Sequence, residues 1–317
     1  MIPDSKKTVI PIHEAGLILL PIIYFDIFSY PLTFDEIYEF SPNTPLTKDR
    51  LKLLIETLVD ANYLYQYGHY YSISTNTDFI IQREENTRRA LQIMPMARRM
   101  TKIISWFPFV RAVLISGSLS KNVITPDGDI DYFIITGRGR LWVTRTLLVL
   151  FKKIFLLNSH KYFCINYFID DTHLEIEEKN IYTATEIATL LPLYGMRSYL
   201  EFYAANHWIS NFYPNVSPRS PLPLMSPDVN RVKLFFEYLL KGKLGDYLNK
   251  KLMEITLRYW HRKFKAYDPA SFENAFKSTS GISKHHPLNF QAKVLEAYKA
   301  RIRIFEQNHK VTLDAKF

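Results

Sequence analysis

The segment from Val110 to Thr136 reads VRAVLISGSLSKNVITPDGDIDYFIIT, and its pattern determines how the middle of the chain folds. The apolar run 112–115 is rich in branched residues, which favour a buried strand. The turn sequence Thr-Pro-Asp-Gly follows at 125–128, where Pro presets φ and Gly accepts a left-handed conformation. A second apolar run occupies 129–135. The segment therefore predicts two strands joined by a connection that reverses the chain.

Two aspartates begin the second predicted strand. Residues two apart on a strand share a face, with Cα atoms roughly 6.5 Å apart, so the carboxylates of Asp129 and Asp131 converge. A hard divalent cation offsets their repulsion, and Mg²⁺ is usually bound by one or two carboxylates together with substrate phosphates. Gly117 lets the backbone approach a phosphate closely, and Ser118 offers a hydroxyl and an N–H donor beside it. The segment thus predicts a site for a nucleoside triphosphate and a metal ion.

The order of these features, an apolar strand, Gly-Ser, ten residues, Asp-x-Asp and a second apolar strand, resembles the signature of the polymerase β-type nucleotidyltransferase superfamily. The resemblance implies transfer of NMP from an NTP to a hydroxyl. It also implies that Asp129 and Asp131 hold Mg²⁺ or Mn²⁺ and act in catalysis. The residues that it assigns to the triphosphate are Gly117, Ser118, Ser120 and Lys121. The alternative is a surface hairpin in which Gly, Pro and Asp only build a turn.

A third carboxylate is implied on the strand that follows the next helix, and here the sequence departs from the signature. The helix is predicted at 141–157 and the strand at 162–169, with Asn166 as its central polar residue. Asparagine can give a metal its carbonyl oxygen but cannot serve as a base. One further predicted strand carries Glu175 and Glu177 on the face opposite its apolar residues. Glu175 is the predicted catalytic substitute, and a solvated strand face is the alternative.

Residues 12–75 resemble a winged helix-turn-helix module. Three helices are predicted, the second opened by a capping box from Thr33 to Glu36 and the third by Thr47 as N-cap. Two short alternating strands around a Gly turn follow them. The exposed positions of the third helix are of mixed charge: Lys48, Asp49, Arg50, Lys52 and Glu56. Both a protein-interaction module and a nucleic-acid reader remain open.

The remaining chain reads as flanking helices. A helix over 78–106 is expected to be divided by Pro95 and to pack on the sheet. The predicted domains are a winged-helix-like domain at 12–75, a nucleotidyltransferase domain at 78–182 and a helical C-terminal region at 183–317. The predicted fold class is accordingly α+β, with a mixed sheet flanked by helices.

A small, polar and basic segment at 276–287 lies between two predicted helices. Such a segment suits a loop that closes over phosphates, so Lys284 is a candidate triphosphate ligand. A plain surface loop is the alternative.

The net charge and the cysteine content limit the classes of partner and the cellular compartment that are expected for this protein. The 317 residues carry a formal net charge of +9, which suits a nucleotide or nucleic-acid partner. The single cysteine, Cys164, excludes an intrachain disulfide, and its apolar surroundings favour a buried structural thiol. The longest apolar runs are interrupted by charges well short of a membrane span. A cytoplasmic protein without membrane contact is therefore expected.

Three functions fit this sequence. The leading hypothesis is a Mg²⁺-dependent nucleotidyltransferase whose acceptor is a small molecule, a protein side chain or an RNA end. The second is a nucleic-acid-binding regulator that uses the same fold to sense nucleotide. The third is a catalytically inactive scaffold.

Overall fold

The computed structural model describes residues 12–42, 47–220, 230–267, 272, 276–284 and 290–315, and over these residues the chain is an α+β protein with two sheets. The first six elements are α1 (Ile12–Asp26), β1 (Leu32–Thr33), α2 (Phe34–Phe40), α3 (Lys48–Asp60), β2 (Tyr65–Tyr67) and β3 (Tyr70–Ser72). The three strands form an antiparallel sheet in the order β1-β3-β2. The three predicted helices and the hairpin are confirmed.

The start of α2 follows the predicted capping chemistry. The Thr33 hydroxyl accepts a hydrogen bond from the Glu36 N–H at 3.3 Å, and the Glu36 carboxylate accepts one from the Thr33 N–H at 2.9 Å. Two otherwise unpaired backbone donors at the helix start are thereby satisfied. Helix α3 likewise begins at a side-chain cap, with Thr47 accepting from the Arg50 N–H. Local sequence therefore determines where both helices begin.

Helix α4 (Asp78–Ser105) leads from this region into the central sheet. The prediction that Pro95 divides it is wrong, because the helix continues through the proline. Proline removes one backbone donor from a helix of 28 residues. Ala90, Ala97 and Ile104 are buried along the same helix, and their packing keeps it in one piece.

The predicted strand pair is confirmed as β4 (Val110–Ser116) and β5 (Asp131–Thr136), which run antiparallel. The short helix α5 (Gly117–Ser120) follows β4 without an intervening loop. Helix α6 (Leu141–Phe155) then crosses over to β6 (Cys164–Asp170), which runs parallel to β5. The sheet is thus mixed, as predicted.

The C-terminal region, predicted to be helical, also contains two strands. Its described elements are α7 (Ile181–Thr189), β7 (Leu191–Tyr194), α8 (Met196–Ala205), a 3₁₀ helix (His207–Asn211), α9 (Arg231–Leu239), α10 (Lys243–Lys263), β8 (Ile282–Lys284) and α11 (Phe290–His309). Strands β7 and β8 complete the central sheet in the order β7-β4-β5-β6-β8. Strand β7 contains Pro192, which an edge strand tolerates because one of its sides needs no donor. Strand β8 has three residues, too few to give a periodic signal.

The central sheet is covered on both faces. Val113, Ile115 and Ile134 pack in one apolar cluster that includes residues of α4 and α6. Ala112 and Leu114 belong to a second cluster, which also contains the buried residues of α1, α2, α3, α7 and α11. The N-terminal elements therefore share a hydrophobic core with the central sheet.

No helix in the described ranges combines the length and the apolar character that a membrane span requires.

A buried arginine joins the N-terminal elements to the start of the central sheet. Arg83 on α4 pairs with Glu36 at 2.8 Å and stacks on the Tyr30 ring at 3.5 Å from its centroid. The Tyr30 hydroxyl lies 2.8 Å from both the Glu36 carboxylate and the Lys121 carbonyl, and it can donate its single proton to one of them at a time. Three separate segments therefore meet at one guanidinium group.

Replacing this arginine is expected to destabilise the protein. Arg83→Met leaves the partly buried Glu36 without its cation, so the free energy of unfolding should fall by about 2 to 4 kcal/mol in urea denaturation. Arg89→Met is the matched control on the same helix, because the ion pair of Arg89 with Glu85 is exposed and its other hydrogen bond is to the neutral amide of Asn86 on the same helix. That control should change stability by no more than about 0.5 kcal/mol. Equal losses in the two variants would contradict this role for Arg83.

Candidate functional site

The turn from β4 into α5 requires glycine for two reasons. Gly117 has a φ of +66°, a left-handed conformation that side chains disfavour. A Cβ atom at this position would lie 2.6 Å from Oδ2 of Asp131. Ser116 and Asp131 are paired across the β4–β5 ladder, which holds the two segments together. The Gly-Ser turn and the second aspartate therefore lie in direct contact, as the sequence pattern predicted.

The two other predicted nucleotide ligands of this turn differ in position. Ser120 is buried and its hydroxyl donates to the Gly117 carbonyl at 2.8 Å, so it supports the turn. The Lys121 ammonium donates to the same carbonyl at 3.1 Å and to the Glu186 carboxylate at 2.8 Å. Lys121 thus brings a positive charge to the turn, whereas the Ser120 hydroxyl is turned toward the backbone.

Asp131 is a largely buried carboxylate at the start of β5. Its pKa is raised to about 6, mainly by burial and also by the nearby charges of Asp129 and Glu186. Cys164, which donates a hydrogen bond, and the Lys121 ammonium act in the opposite direction. Asp129 precedes the strand rather than opening it, since β5 begins at Asp131. The aspartates therefore form an electrostatically costly pair that a cation would relieve.

Asn166 occupies the neighbouring strand position at which the resemblance implies a carboxylate. The β5–β6 register shifts between the pairs Tyr132↔Ile165 and Phe133↔Tyr167, so Asn166 is the extra residue of a bulge. Its Nδ2 donates to Oδ1 of Asp131 at 3.1 Å. Asn166 thus contacts the predicted metal ligand directly, as a hydrogen-bond donor.

Cys164 lies beside Asp131 on the adjacent strand. Burial raises the pKa of its thiol to about 12, and the charges of Asp131 and Asp129 add to this effect. The thiol is therefore protonated at neutral pH, and the predicted structural role is the one that its environment supports.

The predicted third carboxylates lie elsewhere. The segment 173–177 is not a strand, because it forms no ladder with the sheet. Glu175 is exposed and pairs with Lys179 at 2.7 Å, and Glu177 pairs with Lys277 at 2.7 Å. The alternation of polar and apolar residues predicted a strand. The segment is irregular instead, and the Glu175 carboxylate is paired locally with Lys179, four residues further along the chain. Neither glutamate lines a cavity near the aspartates.

Glu186 on α7 is the carboxylate that the structure does bring to the site. It pairs with Lys121 and contributes to the raised pKa of Asp131. No motif in the sequence points to Glu186, because α7 lies some 55 positions after the aspartates and reaches them only through tertiary packing.

One cavity of about 650 Å³ collects most of the predicted residues and is called the main cavity below. From the central region its lining contains Gly117, Ser118, Lys121, Asp129, Asp131, Cys164, Asn166 and Glu186. From the N-terminal elements and α4 it contains Phe25, Phe28, Ser29, Tyr30, Arg83 and Asn86. The cavity therefore brings together Gly117, Ser118, Lys121, Asp129, Asp131 and Asn166 but not Ser120, Glu175 or Lys284, and the N-terminal elements form one wall.

A second cavity of about 110 Å³ adjoins the first and is called the aromatic cavity below. Asn166, Tyr182 and Glu186 line both cavities. Lys284 lines only the aromatic cavity. The segment 276–287 was predicted to be a loop. This prediction is wrong for residues 282–284, which form β8. Residues 285–287 lie outside the described residues. Lys284 is paired with Tyr167 in the β6–β8 ladder, and β5 and β6 lie between its strand and β4, from which the Gly-Ser turn leads.

The donor set of the main cavity fits a hard divalent cation. Asp129 and Asp131 offer anionic oxygens, the ligands that Mg²⁺ and Mn²⁺ prefer. Over the ranges that the structure describes, no group of three or more His, Cys, Asp or Glu side chains is placed to hold a metal. A cation would therefore take its remaining ligands from substrate phosphates and water.

The chain matches no protein-family model, no curated protein and no solved structure.

The burial of Asp131 predicts a pH-dependent stability. Its folded pKa of about 6 exceeds the ordinary value of 3.8, so the folded state binds this proton more tightly than the unfolded state. Stability from this group is complete below about pH 4 and is lost as the pH rises through 6. In EDTA at pH 7.5, Asp131→Asn should raise the free energy of unfolding by up to about 3 kcal/mol. The gain should shrink toward zero near pH 4.

Asp127→Asn is the control for this measurement, because Asp127 is an exposed acid in the adjoining turn. Its effect on unfolding should stay within about 0.5 kcal/mol at both pH values. A gain for Asp131→Asn that does not change with pH would show that the carboxylate is not the cause.

Proposed function

We propose that this protein is a Mg²⁺-dependent nucleotidyltransferase of the polymerase β type, which transfers NMP from an NTP to a hydroxyl group. The observation that carries the proposal is the contact between the Gly117 turn and the buried Asp131, within a cavity that also contains Ser118, Lys121 and Asp129. A backbone turn open to phosphate and a pair of carboxylates suit the two halves of a metal-bound triphosphate.

Each group has a distinct task in this proposal. Gly117 lets the turn pass directly beside the Asp131 carboxylate, and the Ser118 hydroxyl donates to a phosphate oxygen. The Lys121 ammonium adds positive charge beside them. Asp129 and Asp131 would hold Mg²⁺, which when bound would neutralise charge on the triphosphate and on the leaving group.

The proposed reaction forms one bond and breaks one. The acceptor hydroxyl oxygen attacks the α-phosphorus, the bond from that phosphorus to the bridging oxygen breaks, and pyrophosphate leaves. The hydroxyl proton passes to a carboxylate. Glu186 is the candidate base, because it lines the cavity and is not one of the paired aspartates.

A nucleotide sensor is the second candidate, and Asn166 is the observation that favours it. An amide at this position binds Asp131 but cannot accept a proton from a hydroxyl. A sensor would bind Mg²⁺ and NTP without transferring NMP to anything.

The N-terminal elements are proposed to be a winged-helix-like module that binds a protein rather than nucleic acid. Two basic residues of α3 are already neutralised, Lys48 by Asp35 and Arg50 by Glu14. A helix that enters the major groove needs such side chains free for base edges and phosphates.

Nucleotide binding should depend on the paired aspartates. Asp129→Asn combined with Asp131→Asn removes two anionic oxygens with little change in volume, so the affinity for Mg²⁺-ATP should fall by about 100-fold or more in calorimetry. Asp127→Asn, with its exposed carboxylate in the adjoining turn, should bind as the wild type does. Wild-type affinity in the double variant would refute the metal assignment.

Transfer should depend on Glu186 and not on Glu175. With α-labelled NTPs and a cell lysate as the source of acceptors, Glu186→Gln should lower label transfer by about 100-fold, as expected for loss of a general base. Its affinity for Mg²⁺-ATP should remain close to that of the wild type, since the metal ligands are intact.

Glu175→Gln is the matched control, because this glutamate belongs to the same chain region but is exposed and paired with Lys179. It should transfer label at the wild-type rate. If Glu175→Gln is the slower variant, the base is misassigned. Tight Mg²⁺-ATP binding without transfer of any of the four NMP groups would favour the sensor.

A further inference from the structure

The aromatic cavity opens beside the main cavity at the place where the acceptor hydroxyl would have to arrive. Asn166, Tyr182 and Glu186 belong to the lining of both. A molecule in the aromatic cavity can therefore reach the candidate base without occupying the Gly-Ser turn. Gly117, Asp129 and Asp131 line only the main cavity, so the two cavities offer different chemistry to their occupants.

The walls of the aromatic cavity suit a flat apolar group. Phe133 and Tyr167 are stacked with their ring centroids 5.0 Å apart and an interplanar angle of 15°. Ile176, Ile187 and Leu190 complete the apolar part of the lining and are buried. Stacked and edge-on contacts with aromatic rings favour a planar occupant.

The size of the aromatic cavity limits what can enter it. Its volume of about 110 Å³ is comparable with an engineered protein cavity of about 150 Å³ that accepts benzene. One ring fits such a space, whereas a base joined to a ribose and phosphates does not. The nucleotide is thus assigned to the main cavity and a smaller molecule to this one.

Lys284 adds a positive charge to the aromatic cavity. Burial lowers the pKa of its ammonium. Within the described residues it forms no salt bridge, and its hydrogen bond to Gln291 Oε1 is long at 3.4 Å. Glu178 lines the same cavity, but Lys277 already binds this carboxylate at 3.2 Å. The charge of Glu178 raises the pKa of Lys284, against the effect of burial, but Lys277 shares that charge, so this half-buried cation favours an anionic group on the occupant.

We propose that the aromatic cavity is the acceptor subsite and that it takes a small aryl alcohol carrying a carboxylate. The ring lies against Phe133 and Tyr167, the carboxylate pairs with Lys284, and the hydroxyl extends toward Glu186. This inference rests on the proposed function for its acceptor role. The product is the NMP ester of the alcohol, formed with release of pyrophosphate as the hydroxyl proton passes to Glu186.

The subsite can be tested without nucleotide or metal. Ligand-observed NMR titrations compare 4-(hydroxymethyl)benzoate with benzyl alcohol, its neutral analogue. The acid should bind about 10-fold or more tightly than the alcohol, since one charged contact distinguishes them. Lys284→Met should abolish this preference and leave the weak binding of benzyl alcohol unchanged. Equal affinities of the two probes for the wild type would overturn the proposal.

Two variants control for indirect effects. Lys251→Met removes a lysine of α10 that pairs with Glu254 and lines neither cavity, so the preference for the acid should persist. Thr183→Trp fills the aromatic cavity from α7 and should suppress binding of both probes. Loss of the preference in Lys251→Met, or its survival in Lys284→Met, would overturn the assignment of the anion to Lys284.

The acceptor role is tested by adding Mg²⁺ and each α-labelled NTP. Label should appear on 4-(hydroxymethyl)benzoate with the wild type and fall by about 10-fold with Lys284→Met at equal affinity for Mg²⁺-ATP. If the acid binds but stays unlabelled while molecules of the lysate are labelled, the acceptor role fails and the transferase survives. If neither the acid nor the lysate is labelled, the transferase itself fails.

Discussion

The contact between Gly117 and the carboxylate of Asp131 is the constraint on which the site depends. The left-handed turn at Gly117 brings its backbone so close to Oδ2 of Asp131 that even a methyl group would collide with it. The β4–β5 ladder fixes the spacing, since Ser116 and Asp131 are partners. Because the strand pairing places the turn beside Asp131, a phosphate at the turn would lie next to a cation bound by that aspartate.

The same contact buries a charge, and several surrounding groups moderate its cost. Asn166 donates to Asp131 from the bulge in β6, and Lys121 brings a positive charge that Glu186 partly neutralises. The burial and the nearby negative charges that destabilise the ionised carboxylates also favour a cation between them. The arrangement therefore lowers the stability of the free protein and raises its affinity for a cation. Such local costs are typical of sites selected for binding rather than for stability.

Elements outside the β4–β5 pair form walls of the two cavities at the site. The N-terminal elements share a hydrophobic cluster with the sheet and supply a wall of the main cavity through Tyr30 and Arg83. Strand β8 forms one edge of the central sheet, and β7 forms the other. Lys284 of β8 lines the aromatic cavity. An NTP and its acceptor would thus approach the aspartates from two differently lined spaces.

Local sequence by itself determined the features whose signals lie within a few residues. The caps at Thr33 and Thr47, the strand pair around the Gly-Ser turn and the two aspartates all follow from φ preferences, hydrogen bonding to nearby backbone and apolar periodicity. Only the tertiary structure decided which distant groups meet them. Glu186 reaches the site by the packing of α7, whereas Glu175 faces solvent and Lys284 lines the adjoining aromatic cavity, because a short strand or a turn carries too few residues for its pattern to specify a partner. Helix α4 likewise continues through Pro95 because residues along its whole length are buried. That stabilisation is a sum over many tertiary contacts, and no single residue of the sequence predicts it.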